Sequence, residues 1–150
     1  MIVFDLETTG LPKAEGSDLE QQPQIIELGA IKLDDDLNEV DRIEKPFVEH
    51  FPEVCEFFLG EREMCAHNLA FDRKILRFEL ERLDKMTKFP WPPKHICTVE
   101  IGQSVWGKRR KLVDLYEEIT GEVHKGAHRA TADVEALIEV FKWFRKEGHA

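Results

Sequence analysis

The stretch Ile2-Val3-Phe4-Asp5-Leu6-Glu7-Thr8-Thr9-Gly10 decides how the chain is read. Ile2 to Leu6 is short and mostly apolar and reads as a buried strand, which Thr8-Thr9-Gly10-Leu11-Pro12 stops with turn residues. A strand repeats every two residues, so Asp5 and Glu7 share one face while Leu6 takes the other. Two carboxylates on one face at the end of an apolar strand repel each other and are costly unless exposed or neutralised. A hard divalent cation with oxygen ligands supplies that neutralisation. The ordinary alternative is a solvated strand end, since isolated charge pairs seldom signify chemistry.

Working outward, a polar stretch at 13–24 reads as a long loop, and Ile25 to Leu33 is the next strand. Asp34-Asp35-Asp36-Leu37-Asn38 is a tight acidic turn, from which Val40 to Phe47 returns as a third strand. Pro52 to Leu59 suits a short helix with Val54, Phe57 and Phe58 inward, and Met64-Cys65-Ala66 a short central strand. Asn68 is placed to cap a helix whose apolar stripe (Phe71, Ile75, Phe78, Leu83) runs to about Leu83. Phe89-Pro90-Trp91-Pro92-Pro93 is a rigid crossover to a strand at Ile96 to Val99. A helix at Leu112 to Ile119 follows, then a last one from about Arg129 to Lys146. Strand, strand, strand, helix, strand, helix, strand, helix, helix is the order of one α/β domain spanning 1–150, with a mixed sheet and helices packed against it.

Composition narrows the function classes. Across 150 residues, 42% hydrophobic and 34% charged is globular and argues against wholesale disorder. No run approaches the roughly 20 apolar residues that span a membrane, and the start shows no secretory pattern, so a cytoplasmic location is expected. Cys55, Cys65 and Cys97 form neither a disulfide framework nor a zinc signature. The net charge is -9, and the whole excess lies in residues 1–50, with 13 acidic and 4 basic side chains. That is a poor match for gripping nucleic acid by bulk charge, although carboxylates holding a divalent metal raise the acidic count while making the site attractive to phosphate.

Two further acidic positions matter. Asp72 lies early in the second helix, where the dipole favours a carboxylate whatever its role. Asp133 begins the apolar stripe of the last helix, and His128 lies just before it as a candidate general base at neutral pH. Four carboxylates and one histidine make sense together for two divalent ions about 4 Å apart, acting on a phosphate in an in-line displacement.

With these residues in view, the chain resembles the DnaQ-like 3′–5′ exonucleases, in the histidine-containing (DEDDh) branch of the group defined by Asp-Glu-Asp-Asp carboxylates. "FDLETTG" at 4–10, "IIELGAI" at 25–31, "AHNLAFD" at 66–72 and "HKGAHRATAD" at 124–133 carry the resemblance, in the family's order and over nearly the full chain. It implies a ribonuclease H-like α/β fold with a mixed five-stranded sheet flanked by helices, and two Mg²⁺ or Mn²⁺ per active site. Asp5, Glu7 and Asp133 would hold one ion. Asp5 would bridge to the second, completed by Asp72 largely through water, and His128 would be the base. Glu7 and the backbone near Thr8 would hold the terminal 3′ hydroxyl, and Leu11, Asn68 and Phe71 would position the terminal nucleotide. The family usually carries a longer stretch after the third strand than the segment 46–52 here, and the 13–24 loop is the second departure.

Lys108-Arg109-Arg110-Lys111 is the densest basic run. By itself it is a solvated loop; in this context it suits a phosphate rail, joined by Lys125 and Arg129. His67 reads as a hydrogen-bonded scaffold residue, while His124 is loop polarity, slightly preferred, or else hydrogen-bonds near the third motif or touches substrate. Phe57, Phe58, Phe141 and Phe144 read as core, and Trp91 and Trp106 suit either a core place or a base-stacking one. The expected function is a metal-dependent 3′–5′ exonuclease acting on single-stranded DNA or frayed 3′ ends and releasing nucleoside 5′-monophosphates. A 3′-trimming exoribonuclease acting on short or structured RNA, and a proofreading accessory subunit with a polymerase partner, are the alternatives. No membrane partner is expected.

Overall fold

A computed structural model of the chain describes residues 1–126 and 129–150. Strands β1 (Ile2–Thr8), β2 (Ile25–Leu33), β3 (Glu39–Lys45), β4 (Glu63–Ala66) and β5 (Lys94–Cys97) form one sheet in the order β3-β2-β1-β4-β5. The β1–β2 and β2–β3 pairs are antiparallel, and β1–β4 and β4–β5 are parallel. Between and after them come helices α1 (Phe51–Phe58), α2 (Leu69–Arg82), α3 (Thr98–Trp106), α4 (Leu112–Thr120) and α5 (Ala130–Lys146). The mixed five-stranded sheet flanked by helices is the architecture expected from the sequence.

Alternation along β1 sorts the two faces. Ile2, Phe4 and Leu6 point into a core closed by α1 and α2, through Val54, Phe57 and Phe58 and through Ile75, Leu76 and Leu80. Val3 points the other way and joins Ile31, Leu33 and Cys65 under Val134, Leu137, Ile138 and Phe141 of α5. Each such apolar side chain taken fully out of water contributes about 1.5–3 kcal/mol, so the stripe of α5 holds it firmly on the sheet. Behind α5, Leu115, Val140 and Phe144 gather α3 and α4 into an outer layer. Phe57, Phe58, Phe141 and Phe144 are buried, as expected. Trp106 stacks on Trp143 with ring centroids 5.6 Å apart, and Trp91 meets Phe89 edge-on at 4.8 Å.

Several local expectations need correction. The strand expected at 96–99 is Lys94–Cys97, and the segment after it, to which the sequence assigned no element, is a helix, α3. Gly102 sits inside α3 and lowers its intrinsic propensity, but Ile101, Val105 and Trp106 pack against the Leu115 cluster and stabilise it. The third strand ends at Lys45, and Phe47 is buried within the following turn. Asn68 does not cap α2 with its side chain. Its backbone is left-handed, at φ 70°, and its carbonyl accepts the N–H of Phe71 at 3.0 Å.

The 13–24 loop folds down onto α2. Arg82 donates to the carbonyls of Leu19 at 2.9 Å and Pro23 at 3.0 Å while paired with buried Glu79, which accepts the N–H of Ile25 at 3.2 Å. No helix among the described residues is long and apolar enough to cross a membrane.

Candidate active site

Val3, Asp5 and Glu7 project from β1 toward α5, and the register carries the site from there. Asp5 lies opposite Gly29 of β2, and a Cβ built on Gly29 would stand 2.8 Å from the carbonyl carbon of Ala130. Only a glycine lets the first residue of α5 rest on the sheet beside Asp5. Asp133 follows within the first turn of α5. One ligand oxygen each from Asp5, Glu7 and Asp133 then lies within 4.8 Å of the others.

This convergence loads Asp5 heavily. Burial first, then the charges of Asp72, Asp133 and Glu7, and then a hydrogen bond with Asp133 push its pKa from 3.8 up to about 9. Crowding of carboxylates thus disfavours the charged form of Asp5 unless a cation offsets it. The donor set is all carboxylate oxygen, which fits a hard divalent cation and not a thiolate-loving one. Asp72 approaches the group from α2 and raises the pKa of Asp5 more than any other neighbouring charge. It is only 3% exposed in the first turn of α2 and stands outside the three-oxygen group, and burial holds its carboxyl well above the usual range. Its charge nonetheless acts on Asp5.

His128 lies outside the described residues, as does Ala127. Arg129 is exposed immediately before α5, and its N–H bonds to the carbonyl of Gly126 at 3.1 Å. The histidine that meets the carboxylates among the described residues is His124: its Nε2 lies 2.8 Å from Asp133 Oδ1, with the side chain 5% exposed. The hydrogen bond near the third motif, which the sequence offered for His124 behind loop polarity, is formed. His67 bonds Thr98 Oγ1 through Nδ1 and the Arg110 carbonyl through Nε2, each at 2.8 Å, and is the scaffold residue expected.

The other sequence candidates ring this group unevenly. Thr8 turns its hydroxyl onto the Gly10 carbonyl at 3.0 Å, Leu11 is 74% exposed, and Phe71 is half-buried against the α2-side core. Asn68 Oδ1 accepts from Arg109 at 3.1 Å, which ties the basic run to the second motif. Lys108, Arg109 and Lys111 are exposed, whereas Arg110 is committed to Glu118 and lies over the Trp106 ring at 5.4 Å. A cleft of about 910 Å³ between the β3 edge, α5 and the 122–125 segment has His124 in its wall, but Asp5 and Glu7 do not line it. Sequence reasoning missed Gly29, although a glycine inside an apolar strand signals close backbone approach.

The sequence profile of the RNase_T exonuclease family matches residues 2–55 and 41–141; the two stretches overlap around the short connection after β3. A PolC-type DNA polymerase III of Clostridium perfringens (strain 13 / Type A) is 26% identical over 172 aligned residues, which cover 97% of this chain. The chain spans about 11% of that relative's length. The nuclease domain of 3′hExo, a DEDDh family member bound to rAMP, superposes with a TM-score of 0.72 at 15% identity, covering 98% of this chain and 92% of that one. Exonuclease X in complex with 5′ overhanging duplex DNA does so with a TM-score of 0.63 at 18% identity, covering 98% and 92%. These neighbours share the ribonuclease H-like exonuclease fold, and by its profile match across most of its length the chain belongs to the exonuclease family, in the DnaQ-like 3′–5′ group.

Proposed function

We propose that residues 1–150 act as one exonuclease domain that hydrolyses the terminal phosphodiester at the 3′ end of single-stranded or frayed DNA and releases nucleoside 5′-monophosphates. The observation that carries this reading is the meeting of Asp5, Glu7 and Asp133 oxygens within 4.8 Å in an exonuclease-family chain. Asp5, Glu7 and Asp133 would hold one Mg²⁺ or Mn²⁺, and Asp5 with Asp72 would hold a second. When bound, the two ions supply charge stabilisation for the phosphate oxygens and ease ionisation of water. His128 takes the proton of the attacking water. Glu7 and the Thr8 backbone hold the 3′ hydroxyl, and Leu11, Asn68 and Phe71 hold the terminal nucleotide in line. Lys108, Arg109, Lys111 and Arg129 contact backbone phosphates, which favours binding without sequence reading.

The acidic balance of the chain suits an enzyme that takes short single-stranded ends and holds them at the site, not along a long basic groove. The second reading, 3′ trimming of RNA, is supported by the ribonucleotide bound to one structural neighbour. The likeness to a PolC-type polymerase supports a proofreading association with a polymerase partner. The experiment is degradation of 5′-labelled single-stranded DNA, duplex DNA and RNA, with Mg²⁺ and with chelator. The expected result is a ladder shortening from the 3′ side, fastest on single-stranded DNA and absent with chelator. Cleavage of a closed circle, or full activity in metal-free protein, would overturn the assignment.

A further inference from the structure

We infer that His124 is a positioning residue for the carboxylate site: it holds Asp133 in the orientation in which that side chain meets Asp5 and Glu7. The inference rests on the reading of these three carboxylates as a divalent-cation site. His124 belongs to the connection between α4 and α5, and two glycines shape that connection. Gly121 ends α4 with φ 76°, and Gly126, at φ 85°, brings the chain back so closely that a Cβ there would lie 3.3 Å from the Cβ of Ala132. The connection is thereby laid along the first turn of α5.

His124 is buried between two groups. The Tyr116 ring of α4 lies 5.6 Å from the imidazole at an interplanar angle of 58°, and Asp133 Oδ1 lies 2.8 Å from Nε2. An aspartate on a helix can rotate about two side-chain bonds. With one oxygen taken by a ring that packs against Tyr116, Asp133 is favoured in the rotamer that meets Asp5. A partner of this kind, standing behind a ligating carboxylate, commonly changes metal affinity by about 10- to 100-fold. His124 is only 5% exposed and carries the orientation of Asp133, not the chemistry at the phosphate.

Three substitutions separate positioning from packing. His124→Gln keeps an amide nitrogen near the place of Nε2, His124→Asn keeps the amide but falls short of it, and His124→Phe keeps a ring against Tyr116 and removes the donor. The measurements on the full chain are Mn²⁺ binding by electron paramagnetic resonance without nucleic acid, the Mg²⁺ concentration for half-maximal exonuclease rate, and thermal unfolding in chelator. His124→Phe and His124→Asn should raise the Mn²⁺ dissociation constant by about 10- to 100-fold, with the Mg²⁺ requirement moving in parallel. His124→Gln should stay close to the parent protein. Normal Mn²⁺ binding by His124→Phe, or equal losses in His124→Gln and His124→Asn, would overturn the inference. If His124→Phe does not fold, the Gln–Asn comparison decides. Asp133→Ala keeps the two readings distinguishable: unchanged Mn²⁺ binding there removes the carboxylate site itself, whereas lost binding there with normal binding in all His124 variants removes only the role of His124.

Discussion

Gly29 of β2 and Ala130 of α5 approach so closely that a Cβ on Gly29 would lie 2.8 Å from both the carbonyl carbon and the Cβ of Ala130, and 2.9 Å from the Thr131 nitrogen. Gly29 is also the cross-strand partner of Asp5. One missing side chain therefore sets how near the start of α5, and with it Asp133, comes to the carboxylates of β1.

Gly29→Ala should act on fold and site together. The added methyl meets backbone atoms, so α5 must shift outward, at a cost of about 1–3 kcal/mol for overpacking. Thermal unfolding in chelator should move down by several degrees, and Mn²⁺ binding should weaken because Asp133 moves with the helix. Parent-like unfolding and binding in Gly29→Ala would show that the contact does not set the site.

The raised Asp5 pKa has a definite sign. A folded-state pKa near 9 against 3.8 means that this group's contribution to metal-free stability is fully present below pH 3.8 and is lost as pH rises through about 9. The melting temperature of metal-free protein should therefore fall across that window relative to an Asp5→Asn variant, which carries no titrating group there. Stabilisation by Mg²⁺ should grow across the same window in the parent, because the ion replaces the proton held between Asp5 and Asp133, and it should be lost in Asp5→Asn. Parallel pH profiles for the two metal-free proteins would refute the assignment of this pH dependence to Asp5.

Asp72 stands outside the three-oxygen group, which makes the second ion separable from the first. Asp72→Asn keeps shape and burial and removes a charge acting on Asp5. Mn²⁺ titration followed by electron paramagnetic resonance should fall from two ions per chain to one, with the tighter ion kept and hydrolysis lost. Two ions bound by Asp72→Asn would place the second site elsewhere.

The basic run should divide by residue. Replacing Lys108, Arg109 and Lys111 together with Gln should raise the apparent KM on long single strands and flatten its salt dependence, equally for all base sequences. Arg110→Ala should instead lower stability by about 1 kcal/mol, because Arg110 pairs with Glu118 and lies on Trp106. An unchanged salt slope in the triple variant would return the run to a solvated loop.

The order of strands and the shared face of Asp5 and Glu7 were legible because the two-residue period is local and β1 obeys it. Asp72 and Asp133 were legible as members of spaced motifs, but not that Asp72 stands outside the three-oxygen group, since nothing local fixes how α2 meets the sheet. Helix α3 was hidden because Gly102 weakens its local signal, while its stability comes from contacts with α4 and α5. Glu79 and Arg82 look like a surface pair at helical spacing; they are covered because the 13–24 loop folds across them, which only tertiary structure reveals. Arg110 differs from its basic neighbours through Glu118 and Trp106, neither adjacent to it in sequence.

His128 and His124 should separate by what their loss changes. His128 lies outside the described residues, and its assignment as general base comes from its place five residues before Asp133 in the third motif. A general base accepts a proton and holds no ion, so His128→Ala should keep Mn²⁺ binding and unfolding close to those of the parent. Its single-turnover rate at saturating metal should fall by about 10²- to 10⁴-fold, the scale of a positioned acid–base group. The acidic limb of the pH–rate profile should disappear with it, because that limb reports the imidazole losing its proton before it can act. His124→Phe should show the opposite pattern: weakened ion binding, and a rate that recovers when the metal concentration is raised. Retention of the acidic limb and a near-parent rate at pH 7 in His128→Ala would take His128 out of the proton transfer, leaving water ionisation to the carboxylate-held ions.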